Sequence, residues 1–281
     1  MALVEQYNRD GYYFPLDVLS ENEADAARAQ LQRAEAQFCA NPHYGAFGAY
    51  PHMVMPWLDE LMRNELILRP VRELLGEDLL VWGTSFFIKE AQTTSLVSWH
   101  QDLHYWGLDD VHETTAWVAL SPATLQSGCM RFVPGTHRSE DLEHIDSFSA
   151  ENLLSRGQEL VVDVDESSAA DVVLRPGQMS LHHGRTFHAS RPNQSDDRRI
   201  GVAIRYIPTS MAQAGGARTM ATLVSGKDQH DHFTLSPPPR GFLDAGDLAR
   251  VAQAETLKES ILYRSAAKAG HRHHAPSTSQ P

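Results

Sequence analysis

Two short stretches hold the residues best suited to chemistry. Trp99–Trp106 reads WHQDLHYW, and Leu181–Arg199 reads LHHGRTFHASRPNQSDDRR. In the first, His100 and Asp102 are one residue apart, and on a β-strand residues i and i+2 point to the same face. One strand would then aim an imidazole and a carboxylate at a single point. His188 from the second stretch would complete a 2-His-1-carboxylate triad, the ligand set that leaves open positions on iron(II). Eleven residues after His188 comes Arg199, at the head of the strand-like run RIGVAIRYI. Asn193 and Ser195 mark a turn between them. The expected arrangement is a hairpin that brings the Arg199 guanidinium back toward the metal. A planar, permanently charged fork suits bidentate capture of a carboxylate. Metal and arginine together fit a dicarboxylic co-substrate such as 2-oxoglutarate.

An H-x-D pair alone is a weak signal in a chain with 15 histidines, and His230–Asp231 is another His/Asp neighbour pair. The specific pattern is the train H-x-S-x-x-N-x-S-x-x-x-R at His188, Ser190, Asn193, Ser195 and Arg199. With His100, Asp102 and the segment GCMRFVPGTH (Gly128–His137), it resembles the phytanoyl-CoA dioxygenase family of iron(II)/2-oxoglutarate-dependent oxygenases. The likeness runs from YNRDGYY near the N-terminus to Tyr206. It implies a mainly β fold with peripheral helices around a double-stranded β-helix (jelly-roll, cupin-like) core.

The resemblance further implies Fe(II) held by His100, Asp102 and His188, with 2-oxoglutarate and O2 at the remaining positions and ascorbate as a reductant. Arg199 and Ser190 would bind the distal carboxylate of 2-oxoglutarate. The implied reaction hydroxylates a C–H bond of a small-molecule or acyl substrate and releases succinate and CO2. Trp117 matches a family tryptophan near the co-substrate, Ser85 lies on a strand whose metal-facing residues help hold the co-substrate in the family, and each is open to the plainer reading of a core residue. His104, Tyr105 and Trp106 follow the metal strand and are expected to edge the substrate pocket. His182 and His183 are set aside as ligands because the train follows His188 alone. Adjacent strand residues face opposite sides, so only one of Arg198 and Arg199 can serve, and the spacing in the family this chain resembles selects Arg199. Two other functions are weighed. A carrier-dependent halogenase on the same fold has Ala or Gly where this chain has Asp102. A non-catalytic cupin-like metal or ligand binder has no need of a carboxylate-binding arginine.

The remaining elements must position these side chains. Ser20 and Glu23 form an S-x-x-E capping box, followed by Ala24, Ala27, Leu31, Ala34 and Phe38 at helical spacing, which predicts a scaffold helix. Asn41–Trp57 is a loop, either a plain connection or a lid, with Tyr44, Phe47 and His52 as its pocket candidates. Helices are expected at Leu58–Leu66 and Pro70–Leu75, with Gly76 closing the second. LLVWGTSFFIKE (Leu79–Glu90) reads as a strong strand. Residues 139–170 are irregular and acidic, with a helix expected at Ser149–Arg156. Gly246–Ala267 reads as a closing helix, and 269–281 as a disordered tail. One oxygenase domain over 1–268, with its β core at about 79–208, is the expected organisation.

Composition bounds the partners. An apolar fraction of 42% supports a sizeable core in 281 residues. A net charge of −12 argues against nucleic acid or an anionic membrane as a partner. Two cysteines fit a reducing cytoplasm, and no run is apolar and long enough for a signal or a span. The expectation is a cytoplasmic monomer or homodimer acting on a small molecule.

Overall fold

The computed structural model describes residues 2–39, 48–149, 151–154 and 156–262. Its centre is a strand whose ten residues, RIGVAIRYIP, are all buried. Such a run, rich in β-branched and aromatic residues, suits a strand covered on both faces. Alternation splits it: Ile200, Val202, Ile204 and Tyr206 enter the core shared with the helices, while Arg199, Ala203 and Arg205 face a cavity.

In chain order the strands are β1 (Tyr12–Asp17), β2 (Leu79–Lys89), β3 (Val97–His100), β4 (Thr114–Ala119), β5 (Met130–Phe132), β6 (His144–Asp146) and β7 (Gln158–Leu160). They continue with β8 (Ala170–Val172), β9 (Gln178–His182), β10 (His188–Ser190), β11 (Arg199–Pro208), β12 (Met220–Ser225) and β13 (Thr234–Leu235). A seven-stranded sheet runs β1-β9-β4-β11-β2-β12-β13, and a four-stranded sheet runs β3-β10-β5-β8. Pairing is antiparallel except between β12 and β13. The two sheets face each other across Trp117, Met130, Phe132 and Ala203, the jelly-roll arrangement. Strands outside 79–208, namely β1, β12 and β13, extend the large sheet at both ends.

The helices are α1 (Ala2–Asp10), α2 (Glu21–Cys39), α3 (Pro56–Leu61), α4 (Glu65–Leu75), α5 (Leu103–Trp106) and α6 (Ala245–Leu262). At the start of α2, Glu23 Oε2 accepts from the Ser20 backbone N–H at 2.8 Å, and Ser20 Oγ accepts from the Glu23 N–H at 3.3 Å. Leu31 and Ala34 of α2 and Leu68 and Val71 of α4 bury against the outer face of the large sheet. Gly76 ends α4 at φ 90°, a conformation that favours glycine. Among the described residues, no helix is long and apolar enough to cross a membrane.

Three expectations are corrected. The described residues of 149–156 form turns, bends and a bridge rather than a helix, in the connection between the antiparallel strands β6 and β7. His188 and Arg199 are not on a hairpin: β10 lies in the small sheet and β11 in the large one, so the Asn193 turn crosses between sheets. Asn193 secures that crossing, its side-chain amide donating to the carbonyls of Lys89, Glu90 and Asp197. Of the 41–57 loop, Tyr44 and Phe47 lie outside the described residues. His52 is buried between the Thr84 and Thr222 hydroxyls, at 2.9 and 3.1 Å, and does not line the cavity. The 269–281 stretch also lies outside the described residues.

Candidate functional site

His100 closes β3 directly opposite His188 of β10, which brings the two rings to 4.0 Å between centroids. Each ring is fixed through Nδ1 by a backbone carbonyl two residues back, Ser98 for His100 and Thr186 for His188, both at 2.9 Å. That pairing makes Nδ1 the protonated nitrogen and turns each Nε2 lone pair inward. Asp102 reaches the same point by another route than strand alternation. β3 ends at His100, and Asp102 has helical φ/ψ of −64° and −46° at the head of α5. Its Oδ1 lies 3.4 Å from His100 Nε2 and 4.0 Å from His188 Nε2.

The ligand atoms of these three residues all lie within 4.8 Å of one another. Octahedral ligands on bonds of about 2 Å sit about 3 Å apart, so the trio fits one transition-metal ion with an open face toward the cavity. Burial raises Asp102, but its neighbours His100, His188 and Arg205 outweigh it and hold the carboxyl well below its usual range. Burial and the neighbouring His100 push His188 well down, so its ring is neutral and free to donate a lone pair.

Arg199 is 1% exposed, and its Nε and Nη2 have no hydrogen-bond partner. Its guanidinium lies 5.3 Å over the Trp117 ring, and both residues line the cavity. Trp117 needs Gly201 opposite it: a methyl there would fall 1.8 Å from Trp117 Cζ2. Arg198 points the other way, onto Glu35 of α2 and Glu90. Ser190 lines the cavity, its Oγ accepting from Lys89 Nζ at 2.7 Å.

Lys89 faces Arg199 across the β2–β11 ladder and also donates to the Arg191 carbonyl. Burial and the charge of Arg199 push Lys89 down to about 6. Nothing in its sequence context marks it, since a lysine ending a strand is ordinary. His182, set aside as a ligand, is nevertheless in the cavity wall, with Nε2 4.0 Å from Asp102 Oδ2 and neither ring nitrogen partnered. His183 faces away, its Nδ1 accepting from the Arg185 N–H. Glu113 is a further buried carboxyl that sequence reasoning missed. Its Oε1 accepts from the Gly184 N–H, and burial raises it well above its usual range.

Four expected contacts are placed elsewhere. Ser85 does not line the cavity and reaches it only by accepting a hydrogen bond from Arg205, at 3.0 Å. His104 points outward to Asp141 at 2.8 Å, and Tyr105 carries the Arg156 guanidinium over its ring at 4.9 Å. Trp106 is buried against Trp82, with Arg205 over its ring at 5.3 Å. The short helix α5 turns these three away from the open face of the trio. His104, Asp141 and His144 form a second cluster, but both nitrogens of His144 are already engaged, with Leu142 O and the Gln101 N–H.

Residues 7–201 match the family described as Phytanoyl-CoA dioxygenase (PhyH). The chain belongs to the phytanoyl-CoA dioxygenase family. A relative within reach of its sequence is the probable alpha-ketoglutarate-dependent hypophosphite dioxygenase of Stutzerimonas stutzeri. It is 27% identical over 157 residues, 56% of this chain and 54% of that protein. Ectoine dioxygenase of Bordetella bronchiseptica is 24% identical over 149 residues, 48% of each chain. The chain therefore spans about half the length of the curated relatives it matches.

Among solved structures, the apo form of the non-heme monooxygenase ThoJ superposes with a TM-score of 0.84 at 35% identity, covering 93% of this chain and 98% of ThoJ. CytC3 with Fe(II) and alpha-ketoglutarate gives 0.67 at 25% identity, covering 86% and 94%. The chain thus shares its fold with CytC3, a protein solved with Fe(II).

Proposed function

We propose that this member of the family is an iron(II)- and 2-oxoglutarate-dependent dioxygenase that hydroxylates a small-molecule substrate. One observation carries the reading. A buried guanidinium with two unpartnered nitrogens faces the cavity that also holds the inward-turned His100, Asp102 and His188. Burying an unpaired charge is costly, and a dicarboxylate spanning metal and Arg199 removes that cost.

When bound, iron(II) and 2-oxoglutarate supply oxidative decarboxylation and the oxidising power for C–H hydroxylation, with ascorbate keeping the metal reduced. The chain's own residues do the rest. The Ser98 and Thr186 carbonyls hold His100 and His188 in the ligating tautomer. Arg199 would grip the distal carboxylate, with Ser190 held beside it by Lys89. Trp117 stacks under Arg199 and fixes its plane. Phe87, Val97 and Met130 wall the cavity and keep water from the reacting atoms. With metal bound, the Asp102 carboxylate would take the place that a halogenase keeps for halide, which favours hydroxylation over halogenation. We further propose a cytoplasmic enzyme, monomeric or homodimeric.

The test is succinate formation from 2-oxoglutarate with iron(II), O2 and ascorbate. Truncating one partner of a buried charge pair costs about 2–5 kcal/mol, and about 1.4 kcal/mol is tenfold. Arg199→Ala should therefore raise the KM for 2-oxoglutarate more than tenfold, while Arg198→Ala leaves it within about twofold. Equal effects of the two variants would remove Arg199 from this role.

A further inference from the structure

The large sheet carries a second cation that the co-substrate does not use. Arg205 stands six residues after Arg199 on the same face of β11, so their Cα atoms are about 20 Å apart at ~3.3 Å per residue. A five-carbon diacid held by Arg199 and the metal does not extend to both. Arg205 is 8% exposed and lines the cavity; its Nη1 donates to Ser85 and its Nε has no partner. Among the described residues no carboxylate lies within the 4 Å of an ion pair with it. Asp102 is turned to the histidines, and Glu113 accepts from Gly184.

Register adds two more groups. Arg205 pairs with Thr115 on β4, and Thr115 pairs with His182 on β9. The three form a row across the sheet, all lining the cavity, and Thr115 Oγ1 and both His182 nitrogens are unpartnered as well. On the other side Arg205 pairs with Gly83, where Lys258 Nζ fills the space a side chain would take, 3.3 Å from the Trp82 ring centroid. A guanidinium, a hydroxyl and an imidazole, with the Lys258 amine next to them at Gly83, form a row of groups able to donate hydrogen bonds.

We infer that the row Arg205–Thr115–His182 binds an anionic group of the substrate, a carboxylate or another oxyanion, and so orients it at the metal. This rests on the oxygenase reading above. Arg205 is here a binding residue for substrate, separate from the Arg199 end of the cavity.

The test uses the full chain loaded anaerobically with iron(II) and 2-oxoglutarate, so that no turnover occurs. The visible charge-transfer band of an iron(II)–2-oxo acid complex reports the co-substrate. Calorimetric titration with benzoate, and with its neutral isostere benzamide, reports the second site. Benzoate is expected to bind at least tenfold more tightly than benzamide without bleaching the band. Arg205→Met should lose at least tenfold in benzoate affinity while its 2-oxoglutarate affinity moves less than twofold. Arg205→Lys should retain a preference for benzoate, and Thr115→Val should weaken benzoate about threefold or more. Equal binding of benzoate and benzamide, no binding of benzoate, or unchanged benzoate affinity in Arg205→Met overturns the inference alone. Bleaching of the band by benzoate overturns it too, because the anion has then gone to the co-substrate end. If Arg205→Met does not fold, the wild-type comparison and Thr115→Val still decide. Failure of the band to form at all overturns the oxygenase reading, and this inference with it.

Discussion

At the scale of single residues, chemistry is set by which atoms are left without partners. His100 and His188 spend Nδ1 on backbone carbonyls and keep Nε2 free, while His183 spends its Nδ1 on Arg185. The train behind His188 carried that distinction in the sequence, since Ser190, Asn193 and Arg199 follow only this histidine. His182 was not legible in the same way. It enters the cavity because Gln178–His182 is a strand of the large sheet whose end reaches the His100–Asp102–His188 trio, a fact of topology. Asp102 makes a sharper test. Asp102→Gly removes one negative charge and opens a coordination position. Wild-type protein should yield only oxygenated product whatever the chloride concentration, and Asp102→Gly should lose most activity, with any iron it keeps bound in a chloride-dependent way. Product mass spectra in high chloride check this, and chlorinated product from the wild type would show that Asp102 does not hold the metal.

At the scale of elements, the strands were legible where composition and period agreed. Leu79–Lys89 and Arg199–Pro208 are rich in β-branched and aromatic residues, and the structure has strands there. Two local geometries were not legible. H-x-D looks like alternation on one strand, yet the chain leaves β3 at His100 and delivers Asp102 from a helical turn. A turn built on Asn193 looks like a hairpin, yet sheet membership depends on distant partners: β10 pairs with β3 and β5, β11 with β2 and β4.

The packing of β11 against β4 gives a prediction. Gly201→Ala would place a methyl against Trp117 and should cost about 1–3 kcal/mol, the range for overpacking, while raising the KM for 2-oxoglutarate as Trp117 shifts under Arg199. Urea midpoints and KM check it, and wild-type values of both would contradict the packing.

His52 gives a second. Burial, helped by the charges of Lys258 and Arg63, pushes its ring from 6.5 down to about 3. Between those values the unfolded chain holds a proton that the folded chain does not, so the contribution is complete above pH 6.5 and is lost as pH falls. The slope is about 1.4 kcal/mol per pH unit for one proton. In His52→Gln the fall in unfolding free energy between pH 6 and pH 4 should be shallower by about that slope; an unchanged slope would contradict the buried, neutral ring.

At the scale of the whole molecule, charge is segregated. The chain carries a net −12, yet the guanidinium groups of Arg199 and Arg205 are buried against the space between the sheets, with Lys89 and Lys258 near them pushed by burial well below the usual lysine range. The jelly roll makes this possible, because the facing sheets enclose a cavity that both arginines line. All of this chemistry depends on one claim, that His100, Asp102 and His188 together hold iron. The direct measurement is iron per chain after loading and exhaustive dialysis of wild type, His188→Ala and His183→Ala, with circular dichroism confirming that each is folded. One iron is expected in the wild type and in His183→Ala, and little in His188→Ala. Iron retained by His188→Ala but lost by His183→Ala would contradict it.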